Sequence, residues 1–221
     1  MSIQRLVVLA GLMLFVGACL DGVAPRPALH FVQWAPGSNP QFTTVGVLSG
    51  GTPSTGGTPA LRASTALSLS RYSASFWAVR GQSRSVQINY LSATGDTSQP
   101  YLLLTTTEPA YMPGVGALAV GDSVLLTVTV DSVSIGVSLE PTGLQFGTPA
   151  QFQIWYTGAH GDFNGDGIVD STDARIEAQL LGISYHEAAS DPWMAIEATH
   201  SLGDKSFTAA LWHFSEYAVS W

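Results

Sequence analysis

The feature that most constrains the fold is a strict alternation of apolar and polar side chains after residue 70. In the clearest segment, 121–130, Val124, Leu126, Val128 and Val130 share one face of an extended chain, and mainly threonines occupy the other. A period of two in a β-branched composition is typical of a strand with one buried face. The pattern recurs in seven further segments: 75–80, 85–91, 101–106, 135–140, 151–157, 193–199 and 207–221.

Turn-forming residues separate these segments, as at Gly95-Asp96, Pro113-Gly114 and Gly203-Asp204. Eight or so short strands joined by such turns predict an all-β fold, an antiparallel β-sandwich of about 150 residues over 71–221. One stretch, 171–181, has helical periodicity instead. We therefore expect a sandwich that carries one short helix.

Charge is sparse and unevenly distributed along the 221 residues. There are 8 Lys and Arg against 16 Asp and Glu, a net charge of −8. Ten of the acidic residues follow residue 159, where the only two basic residues are Arg175 and Lys205. So few bases argue against nucleic acid as a partner. The single cysteine, Cys19, excludes a disulfide framework and a cysteine-ligated metal cluster.

The first 18 residues have the pattern of a secretory signal peptide. Arg5 precedes an apolar run over 6–16 that is too short to span a bilayer, and small residues precede Cys19. The stretch Val16-Gly17-Ala18-Cys19 resembles the bacterial lipobox, which implies a lipid on Cys19 as the first mature residue. In a host with two membranes, Leu20 after the cysteine implies the outer membrane. We expect an exported protein held at the cell envelope by its lipid.

Residues 19–70 are rich in Pro, Gly, Ser and Thr. This composition buries too little apolar surface to offset the entropy lost on ordering, so the sequence predicts a flexible tether over 19–70. A few apolar residues within it would suit a peripheral strand: Phe31, Trp34, Val45 and Val47.

A twelve-residue segment, 162–173, has oxygen-bearing groups at the spacing of a calcium loop. Gly167 stands at position 6, where the chain turns sharply, and Val169 at position 8 is predicted to pin the loop to the core. Calcium is a hard cation that takes six to eight oxygens, and four crowded carboxylates would repel one another without it. The sequence therefore predicts Ca²⁺ as a cofactor. Five side chains and one backbone carbonyl are the predicted metal ligands: Asp162, Asn164, Asp166, Ile168 (carbonyl), Asp170 and Asp173.

The loop and the helix after it resemble a dockerin type I repeat. They share its ligand spacing, its Asp at position 12, the lack of an entering helix, and an exiting helix that ends in Leu180-Leu181-Gly182. Dockerins carry two repeats, whereas this chain has one. Two interpretations stay open: a cohesin-binding dockerin, or a calcium-clamped insertion over 158–191 in the sandwich. A lone loop in an exported protein suits calcium at about 10⁻⁴ to 10⁻³ M.

The C-terminal segment 207–221 is too long for one regular strand, so we expect a bend near 213–216. Its His213-Phe214-Ser215, with the stretches 140–146 and 149–156, resembles the ZU-five β-sandwich domain of ankyrins, netrin receptors and zonula occludens proteins. Some relatives cut themselves within this motif. The resemblance implies that Ser215 attacks the carbonyl of Phe214 while His213 assists proton transfer. The alternative is a terminal strand in which His213 and Ser215 are simply hydrogen-bonded.

The sequence favours a structural or binding role over turnover catalysis, because it has no Gly-x-Ser-x-Gly elbow, His-Glu-x-x-His pair or phosphate-binding glycine loop. We expect a lipid-anchored, calcium-binding surface protein with a structural or adhesive role, whose partner is an envelope protein or a polysaccharide. A carbohydrate-binding module is a further alternative. Six tryptophans are the candidates for a sugar platform, although core packing is their commoner fate: Trp34, Trp77, Trp155, Trp193, Trp212 and Trp221.

Overall fold

The computed structural model describes residues 28–35, 41–49, 72–91 and 99–221, with the backbone alone at 41–49 and 90–91. The predicted signal peptide, Cys19 and most of the predicted tether lie outside these residues. Within the described part of the chain, no helix is long and apolar enough to cross a membrane.

Two antiparallel sheets enclose one hydrophobic core, which confirms the predicted β-sandwich. Among the described residues, the first sheet contains β1 (Gln41–Ser49), β3 (Arg84–Leu91), β4 (Gln99–Thr106), β5 (Pro109–Met112), β6 (Gly116–Ala117), β9 (Gln145–Trp155), β12 (Ala198–Ser201) and β13 (Ser206–His213). The second contains β2 (Ser73–Val79), β7 (Ser123–Val130), β8 (Gly136–Glu140), β10 (Gly182–His186), β11 (Met194–Ile196) and β14 (Glu216–Ser220). The single helix in this part of the chain is α1 (Ser171–Gln179).

The strand order brings distant parts of the chain together. The first sheet runs β1-β3-β4-β9-β13-β12, with β5 beside β9 and β6 beside β5, and the second runs β11-β10-β14-β8-β7-β2. The last two strands, β13 and β14, therefore belong to different sheets. The chain crosses the sandwich at Phe214 and Ser215, where the bend was predicted.

The core follows the alternation in the sequence. Val124, Leu126 and Val128 of β7 are buried, whereas Leu125 between them is 47% exposed. On the facing sheet, Phe152 of β9 is fully buried. Each such side chain contributes about 1.5–3 kcal/mol through burial, so the two inner faces supply most of the stability.

Two parts of the predicted tether over 19–70 belong instead to the sandwich. The N–H of Val32 donates to the carbonyl of Val219 at 3.0 Å, and the carbonyl of Val32 accepts from Ile135 at 2.7 Å. Val32 and Trp34 are buried, and β1 pairs along the outer edge of β3. The tether prediction is thus corrected at 28–35 and 41–49. The apolar residues that suited a peripheral strand lie in these two parts: Phe31 and Trp34 form isolated bridges, and Val45 and Val47 belong to β1.

The predicted insertion over 158–191 is shorter than expected. The loop and α1 leave the first sheet after β9, but the chain enters the second sheet at Gly182 to form β10. The C-terminal boundary therefore moves from residue 191 to residue 181. The five-residue strand β10 was missed because it follows the helix directly and is too short for a clear period of two.

Gly136 of β8 provides a test of how closely the strands around the crossing pack. A Cβ at this position would lie 2.9 Å from the carbonyl oxygen of Tyr217 on β14, whereas a Cβ on Gly147 of β9 would meet nothing nearer than 3.7 Å. We expect Gly136→Ala to lower the free energy of unfolding by about 1–3 kcal/mol. Gly147→Ala is the matched control, with an expected change within about 1 kcal/mol. Denaturant unfolding of both variants measures the difference. Equal losses of stability in the two variants would contradict the close contact of Gly136 with the Tyr217 carbonyl.

Candidate functional site

The predicted calcium loop is closed by the carboxylate of Asp173, in the first turn of α1. Its Oδ1 accepts hydrogen bonds from the backbone N–H of Phe163 at 2.7 Å and of Asn164 at 3.1 Å, and its Oδ2 accepts from Asp170 at 2.9 Å. The Asp170 side chain in turn accepts from the N–H of Thr172 at 2.6 Å, and it also accepts from the N–H of Asp173, which completes a capping box. Asp173 thus joins the start of the loop to the start of the helix.

Asp162 organises the other half of the loop. Its Oδ1 accepts from the N–H of Gly165 at 2.7 Å and of Asp166 at 3.1 Å, and its Oδ2 accepts from Gly167 at 2.8 Å. Gly165 and Gly167 have φ of 75° and 86°, the left-handed region that glycine adopts without steric cost. The tight turn predicted at Gly167 is therefore present.

These hydrogen bonds keep Asp173 ionised. The N–H of Asp170, together with those of Asn164 and Phe163, lowers the pKa of the Asp173 carboxyl, although burial of the side chain opposes the shift. A carboxylate offers about four lone-pair sites, and Asp162 and Asp173 each use three of them for backbone N–H groups. Both side chains retain acceptor capacity, and the lowered pKa keeps Asp173 in the charged form that a cation requires.

The loop residues offer the oxygen atoms that calcium requires, but their side chains are not gathered around one point in this structure. All the predicted ligands offer oxygen, and the three ion pairs of the described residues involve none of the four loop carboxylates. However, no three His, Cys, Asp or Glu side chains in the described part of the chain gather into a group that could hold a metal ion. The carboxylates lie along one short loop and bond to its backbone.

The loop is attached to the sandwich by Phe163 and not by Val169. Phe163 packs against the core, and its carbonyl accepts from the indole Nε1 of Trp221 at 3.2 Å. Val169 is 66% exposed, so its predicted role as the apolar pin is wrong. On α1 and just beyond it, Ile176 and Leu181 are buried but Leu180 is exposed.

A second contact holds α1 against the first sheet. The Nζ of Lys205 lies 3.0 Å from Oε1 of Glu177 on the helix, and Tyr156 beside them bonds through its hydroxyl to Nε2 of His200 at 2.7 Å. The His200 ring stacks on Phe207 at 4.2 Å. Burial lowers the pKa of His200 and, with Glu177, raises that of Tyr156. The Tyr156 hydroxyl thus lies between the His200 ring and Glu177 and links β9, β12 and α1.

The described residues show no hydrogen bond between the side chains of His213 and Ser215. Ser215 is buried, and its hydroxyl donates to the backbone carbonyl of His186. The carbonyl of Phe214 accepts from Gly143 at 2.8 Å. Nδ1 of His213 is buried and has no hydrogen-bond partner among the described residues. Ser215 is thus hydrogen-bonded to a backbone group, whereas Nδ1 of His213 is not.

Sequence reasoning missed the importance of His186. Its Nδ1 lies 2.8 Å from the carbonyl oxygen of Ala188, and its Nε2 lies 2.8 Å from Oε2 of Glu216. Both partners offer acceptor oxygens, so the ring is held between β10, the 187–191 turn and β14. The ring also stacks on Trp193 with centroids 4.1 Å apart. No local pattern marks this pair, because its members are 30 residues apart.

Comparisons with protein-family models, curated protein sequences and solved structures find no match to this chain. The resemblances to dockerin repeats and to ZU-five domains therefore rest on the motif residues alone.

His200 provides a pH test of the contact between α1 and the sandwich. Because its pKa is lowered in the folded state, the unfolded chain binds the proton more readily below a pH of about 6.5. We expect stability to fall as the pH is lowered from neutral through this range. In His200→Gln, whose carboxamide can still hydrogen-bond the Tyr156 hydroxyl but cannot be charged, the loss of stability at low pH should be smaller.

The measurement is the melting temperature as a function of pH. His30→Gln is the matched control, because His30 is exposed and stacks only on Trp221 among the ring contacts of the described residues. Identical pH profiles for wild type and His200→Gln would contradict the assignment.

Intact mass tests self-cleavage at the C-terminal motif. Because the Ser215 hydroxyl donates its hydrogen bond to the His186 carbonyl, we expect purified wild type and Ser215→Ala to keep the seven residues 215–221. A species that lacks these residues in wild type, and is absent from Ser215→Ala, would show that Ser215 attacks the peptide bond after all.

Proposed function

We propose that this chain is an exported, lipid-anchored surface protein whose loop 162–173 binds one Ca²⁺ ion and thereby clamps α1 to the sandwich. The supporting observation is that four carboxylates crowd a loop of twelve residues and form no ion pair with a described Lys or Arg. Like charges at such spacing repel, and a divalent cation removes that repulsion.

The ligands of the proposed site come from both ends of the loop. Asp162, Asn164 and Asp166 precede the turn at Gly167, and Asp170 and Asp173 begin the helix, with the carbonyl of Ile168 between them. Binding would require small shifts that gather these oxygens, because they are not gathered in the structure. Asp162 and Asp173 are held by three hydrogen bonds each, so the other ligands would move most.

The proposed role is structural or adhesive, and no turnover reaction is part of it. The signal-like N-terminus and Cys19 support attachment to the cell envelope through a lipid. Calcium at about 10⁻⁴ to 10⁻³ M is the range in which extracellular modules work. The acidic last third disfavours nucleic acid, and the proposed attachment to the envelope makes an envelope protein or a polysaccharide the proposed partner. Cohesin binding is the alternative, since Ile168 and Val169 are exposed on the loop.

Calcium removal tests the proposed clamp. With a dissociation constant of about 10⁻⁴ to 10⁻³ M, about 10 mM Ca²⁺ should stabilise the fold by roughly 1.5–3 kcal/mol. The melting temperature should therefore rise by about 3–10 °C relative to chelator. Mg²⁺ at the same concentration should raise it less, because it demands a smaller octahedral site.

Asp166→Asn is the variant that isolates the ligand charge. Its amide oxygen still accepts from the N–H of Ile168, which Asp166 bonds at 2.9 Å, but the carboxylate is lost. We expect this variant to lose most of the calcium-dependent shift. Asp204→Asn is the matched control, because Asp204 is an exposed acid outside the loop. Equal melting temperatures of wild type with calcium and with chelator would contradict the proposal.

A further inference from the structure

An exposed tryptophan stands between two grooves, the larger of which is lined by strands of both sheets. Trp212 of β13 is 59% exposed. On one side, a groove of about 680 Å³ runs toward β11 and β12, and on the other a smaller groove of about 290 Å³ runs toward the 143–146 segment. Trp212 and His213 line both, so the two grooves form one continuous surface, which we call the Trp212 cleft.

The alternation of β13 fixes the direction of this ring. Phe207, Ala209 and Leu211 are buried, so Thr208, Ala210 and Trp212 point outward. Thr208 and Ala210 are small, and the strand rises about 3.3 Å per residue, so they form a shelf roughly 13 Å long beside the indole. A large ring at the end of a flat shelf presents one apolar face to a ligand that lies along the strand.

Uncharged hydrogen-bonding groups surround the shelf. Gln151 of β9 is paired with Ala210, and Thr199 of β12 is paired with Thr208, so both side chains are level with the shelf. Gln145 lines the smaller groove. Carboxamides and hydroxyls both donate and accept, which suits a ligand whose own groups do the same.

The charges of the cleft restrict what can bind. Glu197 lines the larger groove and Glu187 the smaller, and no Lys or Arg is among the described residues that line either. These two carboxylates would repel an anionic ligand. The lining therefore suits a neutral molecule rich in hydroxyl groups, with an apolar face for the indole.

We propose that the Trp212 cleft binds a neutral oligosaccharide. The apolar face of one sugar ring stacks on Trp212, and the neighbouring units lie along the shelf. The hydroxyls of these units bond to Gln151, Thr199 and Gln145. None of the lining residues belongs to the loop 162–173, so this binding goes beyond the proposed calcium clamp and does not depend on it.

Titration calorimetry with soluble neutral oligosaccharides tests the proposal on the protein without its lipid. The probes are cellohexaose, xylohexaose, laminarihexaose, maltohexaose and chitohexaose, each with calcium and with chelator. We expect at least one to bind, equally in both buffers. Hexagalacturonic acid, the anionic comparison, should not bind.

Two tryptophans allow a matched comparison of variants. Trp212→Ala should weaken binding about tenfold or more, as truncation of a central aromatic anchor does. Trp212→Tyr, which keeps a ring, should retain most of it. Trp77→Ala is the control, because Trp77 is 56% exposed but lies on β2 in the other sheet. It should bind like wild type.

Three outcomes would overturn the proposal. The first is that no neutral oligosaccharide binds. The second is that Trp212→Ala and Trp77→Ala bind like wild type or lose binding equally. The third is that a triarginine peptide binds at Trp212 in place of the sugars, which would identify a cationic ligand for the indole and the two glutamates. Any of these leaves the calcium-dependent melting shift intact, so the two proposals fail separately.

Discussion

The fold depends on the point at which the chain crosses from one sheet to the other, at Phe214 and Ser215. Phe214 is fully buried, its N–H donates to the carbonyl of Leu144 at 2.9 Å, and its own carbonyl accepts from Gly143. The Ser215 carbonyl accepts from Leu139 at 2.9 Å. A crossing strand leaves its backbone groups without ladder partners, and burial makes each unpaired group costly. Strand β8 and the turn that follows it supply those partners, so the buried Phe214 and Ser215 have a structural role.

The crossing also determines where the loop-helix insertion is attached. β9 pairs with β13 before the crossing, and β10 pairs with β14 after it, so the insertion between β9 and β10 bridges the two sheets. Its contacts reflect this position. Trp221, just beyond β14, bonds to the Phe163 carbonyl, whereas Lys205, just before β13, pairs with Glu177 on the helix. A cation on this loop would therefore stabilise the joint between the sheets as well as the loop itself.

Local patterns in the sequence predicted what depends on local physics. The alternation of β7, the helix after Asp170 and the turn at Gly167 follow from side-chain period, capping and glycine conformation. Long-range pairings did not follow. The His186–Glu216 pair and the contact of Val32 with Val219 join segments far apart in sequence, and no window of neighbouring residues contains both members. The prediction that Val169 is buried was wrong for a related reason. A residue at position 8 of the loop is buried only when another part of the chain packs against it.

The acidity of the last third of the chain has a physical explanation at each residue. Four carboxylates form the loop, Glu177 pairs with Lys205, and Glu216 pairs with His186. Asp191 accepts from the N–H of Ala188, and Asp204 accepts from the hydroxyl of Ser201, so both stabilise turns. The remaining two, Glu187 and Glu197, line the Trp212 cleft. The surplus negative charge is therefore not spread evenly over the surface. Six of the ten acids lie on the loop 162–173 or line the Trp212 cleft, and the other four bond to groups of the sandwich, so the acidity follows particular sites and contacts.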